Sequence, residues 1–238
     1  CGIAIRRAWR PRVLHSMTES LETLFTRGLE AHRKGNLFDA EAAYRGVLAT
    51  NPKNFDALHL LGVVHAQRGQ ATEAEVLIGA ALAVDDSDAR AHNNYGLALL
   101  DLRRPADALV HFDKAAALEP GLAWAHSNRG SALRALGRLD EALTATDQAI
   151  ALNASYAEAI ANRAAILQTL GRLSESLTAI DQAVALAPNL PNVHFNRATL
   201  LETIGRPRDA LAAFERAIQL KPDYIQALCG RGFTLLSL

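Results

Sequence analysis

Cysteine, methionine and aromatic residues are scarce in this chain. Its two cysteines, Cys1 and Cys229, stand at opposite ends of 238 residues, so by themselves they build neither a disulfide framework nor a zinc cluster. A reducing compartment fits that usage, and a cytoplasmic location is expected. No apolar run approaches the roughly 18 to 20 residues that a membrane span needs, and arginines interrupt the stretch 1–16, where a signal-like core would lie. A soluble chain without a membrane partner is expected. Charge of one sign is missing too, because 25 Lys and Arg face 25 Asp and Glu. With no net field to draw a polyanion, nucleic acid is not an expected partner.

The composition that remains is 50% hydrophobic and 21% charged, which is globular rather than disordered. The basic N-terminal tail and lead-in, 1–20, stands apart from it. Arg6, Arg7, Arg10 and Arg12 have no acidic neighbour within 1–16, which reads either as an anchor for anionic surfaces or as a disordered or untranslated tail. Cys1 at the start reads as a fragment boundary or as a lipidated residue. Met17, the single methionine, opens MTESLETLF as a natural start would.

What the chain does have is a period, of about 34 residues. Laid over itself at that shift, it shows six complete units, 21–54, 55–88, 89–122, 123–156, 157–190 and 191–224, followed by 225–238 as the first helix of a seventh. Position 8 of the units holds Gly28, Gly62, Gly96, Gly130, Ala164, Ala198 and Gly232. Positions 20 and 27 are also small, while position 24 carries Tyr44, Ile78, Phe112, Thr146, Ile180 and Phe214. This is a large side chain set among small ones where two helices cross. Position 15 is glycine in five units and Arg103 in the third, at the place where a first helix ends in the left-handed conformation. Each unit is therefore helix, tight turn, helix.

These residues resemble the tetratricopeptide repeat (TPR) family over 21–238, and the resemblance implies an all-α, right-handed solenoid whose first helices line a concave wall. The text DALHLLGV at 56–63 and AHNNYGLALL at 91–100 further resembles the N-terminal repeats of bacterial O-linked N-acetylglucosamine transferases of the SPINDLY type; similar repeats also precede sulfotransferase domains. In the first helix of the seventh unit Leu228, Phe233, Leu235 and Leu236 would expose apolar surface, whereas a capping repeat is polar, so the native chain is expected to continue.

Reaction chemistry finds little footing. His92, His126 and His194 share position 4, but helices one repeat apart lie on the order of 10 Å from each other, too far for the roughly 2 Å bonds of one zinc ion. They read as packing residues. Gly230-Arg231-Gly232 lacks the third glycine and preceding strand of a dinucleotide loop, and no Ser/His/Asp or Cys/His set assembles. Neither catalysis, a cofactor nor a metal is expected in this chain.

Two ladders remain. Arginine stands at position 7 in Arg129, Arg163, Arg197 and Arg231, and one unit earlier position 25 holds Asp113, Asp147, Asp181 and Glu215. Units preceded by Arg45 or Gly79 carry Leu61 and Tyr95 at position 7 instead. Inter-unit ion pairs explain both the presence and the absence of arginine; an anion-binding stripe is the alternative. The second ladder is Asn94, Asn128, Asn162 and Asn196 at position 6. Asparagine costs about half a kcal/mol against alanine inside a helix, yet offers a donor and an acceptor.

In the resembling family position 6 lies on the concave wall, and the glycosyltransferase repeats use such a ladder to hold peptide backbone. Asparagine there is also widespread among TPR units, so a backbone clamp and an inherited structural consensus both stand. As a clamp, the amides are expected to face solvent in the empty groove. The expected function is a scaffold that binds an extended polypeptide segment in the groove, as part of a longer protein. The alternative is the substrate-recruiting part of a glycosyltransferase whose catalytic domain follows residue 238. Positions 5 and 9, with His59, Val63, Asn93, Leu97, Ser127, Ser131, Ala161 and Ala165, lack the lysines and arginines of a clamp for C-terminal carboxylates.

Overall fold

The computed structural model describes residues 20–238; the arginines of the tail, Cys1 and Met17 lie outside the described residues. The described chain forms thirteen helices and no strand. They are α1 (Leu21–Arg33), α2 (Leu37–Thr50), α3 (Phe55–Gln67), α4 (Ala71–Leu82), α5 (Ala89–Asp101), α6 (Pro105–Leu118), α7 (Ala123–Ala135), α8 (Leu139–Leu152), α9 (Ala157–Thr169), α10 (Leu173–Leu186), α11 (Pro191–Thr203), α12 (Pro207–Leu220) and α13 (Ile225–Leu236). Each odd-numbered helix packs on the even-numbered helix that follows it, and each even-numbered helix packs on the next odd one. The result is an all-α solenoid.

Local chemistry sets the helix ends. Ser20, Asn54 and Asp88 cap α1, α3 and α5 by accepting from Thr23, Ala57 and Ala91 backbone N–H groups, and Pro105, Pro191 and Pro207 open helices where an N–H has no intrahelical partner. The turn inside each unit is left-handed at position 15, with φ of +73° to +74° at Gly35, Gly69, Gly137, Gly171 and Gly205. Arg103 takes the same turn at φ +61°. The closing bond is the same as well: Arg104 N–H reaches Leu99 O at 2.9 Å, as Asn36 N–H reaches Ala31 O at 2.9 Å.

The core of each unit is the predicted crossing. Tyr44, Phe112 and Phe214 are fully buried at position 24, with Ile78 and Ile180 in the same place, and the small residues at positions 20 and 27 around them are buried too. A methyl group at Gly62 would stand 2.5 Å from Ile78 Cγ1, so Gly62 cannot grow while that filler stays put. In the fourth unit the filler shrinks to Thr146, whose buried hydroxyl donates to the Ala142 and Leu143 carbonyls at 3.1 and 2.9 Å. Burial pushes the Tyr44 phenol up to about 12.

Units are stapled to each other by charge. Arg129, Arg163 and Arg197 donate through Nε to Asp113, Asp147 and Asp181 at 2.6, 2.7 and 2.7 Å, as the sequence rule requires. The fourth predicted pair does not form: Arg231 Nε is buried without a partner, and Glu215 stays exposed. All three formed pairs use aspartate, whereas the unformed one has the longer glutamate in its place. Earlier interfaces use the glutamate at position 21, with Glu41 bound by Arg68 at position 14 of the next unit and Glu75 bound by Arg104 at position 16, the latter at 2.6 Å.

Replacing Arg103 by glycine is expected to stabilise the protein by up to about 1 kcal/mol, because a side chain in the left-handed region is strained. An unchanged or lower thermal midpoint would show that the arginine side chain compensates. Glu215→Asp is expected to complete the fourth staple and to raise stability by about 0.2 to 1 kcal/mol, a gain that Arg231→Gln should cancel. Denaturant unfolding of the two single variants and the double variant reads that coupling.

Candidate functional site

The odd-numbered helices also touch one another along one side, α3 with α5, α5 with α7, α7 with α9, α9 with α11 and α11 with α13. Among the described residues no two even-numbered helices pack comparably. An array whose elements converge on one side curves toward it, so the first helices form the inner wall. Position 6 lies on this wall, and Asn94, Asn128, Asn162 and Asn196 are all half-buried there.

Three of the four asparagines do not stand free as expected. Asn94 Nδ2 donates to His59 Nε2 at 2.9 Å, Asn128 Nδ2 to Asn93 Oδ1 at 2.7 Å, and Asn162 Nδ2 to Ser127 Oγ at 2.9 Å. Each bond therefore joins position 6 of one unit to position 5 of the unit before. For Asn196 the corresponding residue is Ala161, which has no side-chain acceptor, and among the described residues the Asn196 side chain makes no hydrogen bond. A primary amide has two N–H donors and a carbonyl, so each bonded rung keeps a second N–H, and the oxygens of Asn128 and Asn162 remain open. The expectation of solvent-facing amides fails because polar side chains at position 5 lie within reach across the interface.

A second row of cross-unit bonds runs along the same wall between positions 12 and 13. His32 Nε2 lies 3.0 Å from Gln67 Oε1, and Gln168 Nε2 donates to Thr203 Oγ1 at 2.7 Å. The sequence signal for both rows was present. Polar residues one unit plus one residue apart mark where adjacent first helices touch.

The position 4 histidines do not converge. His126 and His194 place Nε2 at 2.9 Å from the Pro120 and Pro188 carbonyls, and His92 Nε2 sits 3.1 Å from the Asp86 carbonyl. Each ring thus ties a first helix to the loop before it. His92 goes further, because its Nδ1 lies 3.0 Å from His111 Nδ1 while Asp86 Oδ1 lies 2.9 Å from its Nε2 and Lys114 holds Asp86 at 3.1 Å. Of the two facing Nδ1 atoms one donates and the other accepts, so the pair shares a single proton. Among the described residues no group of three or more His, Cys, Asp or Glu side chains is arranged to hold a metal ion.

The sequence matches models of the tetratricopeptide repeat at 31–94, at 89–122, 123–156 and 191–224, and at 157–190. The chain belongs to the tetratricopeptide repeat family. Solved TPR proteins share its fold. A thermophilic TPR protein from Thermus thermophilus is 24% identical, with a TM-score of 0.72 over 76% of this chain and 99% of that one. A TPR protein from Parabacteroides merdae is 20% identical, with a TM-score of 0.73 over 91% of this chain and 86% of the other. YrrB, a TPR protein with an unusual peptide-binding site, is 20% identical, with a TM-score of 0.52 over 80% of this chain and 98% of its own. No curated protein sequence matches. Nothing in these likenesses bears on the finer resemblance to glycosyltransferase repeats. Among the described residues no helix is long and apolar enough to cross a membrane.

Burial lowers the pKa of His59, and burial together with the neighbouring His92 lowers that of His111. Both folded values lie below the roughly 6.5 of an unfolded imidazole, so the unfolded chain takes up protons first as pH falls. The stability these neutral rings contribute is complete above about pH 6.5 and is lost as pH drops through the folded values. Thermal midpoints measured between pH 7.5 and 5 should therefore fall. His59→Gln together with His111→Gln, which removes the two titrating rings, should flatten the slope; an equally steep slope in that variant would assign the loss to other groups.

Proposed function

We propose that this TPR chain is a protein-interaction scaffold that holds an extended segment of a partner polypeptide along its inner wall. The observation that carries the reading is the row of four half-buried asparagines, one per unit from the third to the sixth, on consecutive inner helices. Helices one repeat apart are separated by on the order of 10 Å, and an extended chain advances roughly 3.3 Å per residue. One amide therefore meets about every third residue of a bound strand. Amides at that spacing engage backbone groups, which every sequence has, so specificity is broad. That YrrB carries a peptide-binding site on the same fold supports a groove of this kind.

The exposed free thiol of Cys229 fits a reducing compartment such as the cytoplasm. With equal numbers of acidic and basic residues, neither nucleic acid nor an anionic membrane is the preferred partner. Recruitment of substrates for a glycosyltransferase domain rests on the text of 56–63 and 91–100 alone and is the weaker reading.

The test begins with selection of binding peptides from a displayed library of random fifteen-residue sequences. Asn128→Ala with Asn162→Ala removes two adjacent rungs and, at about 0.5 to 1.5 kcal/mol per net hydrogen bond, should weaken a selected peptide roughly five- to a hundredfold. Stability should fall too, since each substitution also breaks a cross-unit bond. Anisotropy titrations are therefore run well below the midpoint of the variant. Unchanged affinity in the fully folded double variant would end the clamp reading.

A further inference from the structure

Three of the four asparagine rungs are held by a neighbour and one is not. The held rungs, Asn94, Asn128 and Asn162, each use one N–H on His59, Asn93 or Ser127 of the preceding unit, at 2.7 to 2.9 Å. A bond of that length at one N–H fixes the amide plane, and with it the directions of the second N–H and the carbonyl. Asn94 is fixed twice, since its Oδ1 also lies 3.4 Å from Asn93 Nδ2. Ala161 offers Asn196 nothing equivalent.

We propose that the residue at position 5 of each unit is the positioning residue for the asparagine of the next, and that Ala161 ends the aligned clamp at Asn162. The inference rests on the peptide-groove reading and refines it. A rung aligned before binding loses less side-chain freedom when a strand arrives, so it contributes more affinity than an unaligned one. Three aligned rungs at about 10 Å spacing match about nine residues of extended chain. Asn196 lies one unit beyond them, with a rotamer of its own choosing. The bound segment therefore has a defined end on this wall, set by a single methyl side chain.

Ser127 shows what a serine at position 5 does for the next rung, so Ala161→Ser supplies Asn196 with a hydroxyl at the corresponding place. The probes are fluorescein-labelled peptides cut from one library-selected binder to span two, three and four rungs, and one unit beyond the fourth, which is about six, nine, twelve and fifteen residues of extended chain. In the unaltered protein affinity should rise with length up to about nine residues and then level off. In Ala161→Ser it should keep rising to about twelve, with a two- to tenfold gain for the four-rung peptide and no gain for the three-rung one. Asn196→Ala should cost little in the unaltered protein and should abolish the gain in Ala161→Ser. Ser127→Ala should shorten the plateau, and Ser127→Thr should restore it.

A purely structural role for position 5 would move the unfolding midpoint in these variants and leave the length dependence alone. That result overturns the proposal, as does an Asn196→Ala loss equal to that of Asn162→Ala in the unaltered protein. Either outcome leaves the clamp reading standing provided that Asn128→Ala with Asn162→Ala still weakens the peptide. Failure of that double variant to weaken it, or of the library to yield any binder, overturns both.

Discussion

The close crossing of two helices inside each unit is the constraint on which the rest depends. At position 8 the first helix has little or no side chain, and the filler at position 24 of the second occupies that space. The distance between the helices is thereby fixed by van der Waals contact, and interiors packed this densely do not stretch to relieve a mismatch. Because the crossing recurs once in every unit, so does every position around it. A wall residue and its counterpart one unit later thus meet in the same relative geometry, and a pair of residues that bonds once bonds again wherever both types recur. The ion-pair row and the amide row are both consequences of that repetition.

Fold and period were legible in the sequence because small-large-small spacing and left-handed turn residues are local signals. Arg103 illustrates how strong the second one is, since the turn keeps its left-handed form even where glycine is lost. The charge ladder was legible for a related reason: acid at position 25 and arginine at position 7 vary together. Its failure at Glu215 was not, because matching charges at two positions do not record whether the side chains meet. The bonds of the asparagine ladder were hidden as well. They join position 6 to position 5, and reading a single position down the repeat never sets those two columns side by side.

Each interface between units carries its own polar cross-links, and their identity changes along the array. The first is held by Arg68 with Glu41 and by His32 with Gln67; the second by Arg104 with Glu75 and by Asn94 with His59. From the third onward position 21 turns to leucine, and the aspartate at position 25 takes over the charge role. The newer staple also reaches the turn region beyond it. Glu141 is held below the usual carboxylate range by Arg138 above all, with Arg129 adding to the effect, and Glu175 likewise by Arg172 with Arg163. These groups are exposed and well screened, so the row acts less through energy at any one pair than through register, because each pair is satisfied only when neighbouring units keep their spacing.

The last interface departs from this scheme. Between the sixth unit and α13 there is neither a position 25 ion pair nor an asparagine bond, and the polar link across it is Thr234 donating to Glu202 at 2.5 Å. Ile225, Phe233 and Leu236 on that helix are exposed. In a linear array, stability is close to a sum of unit and nearest-neighbour terms, so opening begins where the neighbour term is smallest. Asn196 and Ala161 sit one interface inward from that end, where Asp181 and Arg197 still hold. The polar cross-links of the inner wall are therefore most complete across the third to fifth units, where both rows are present.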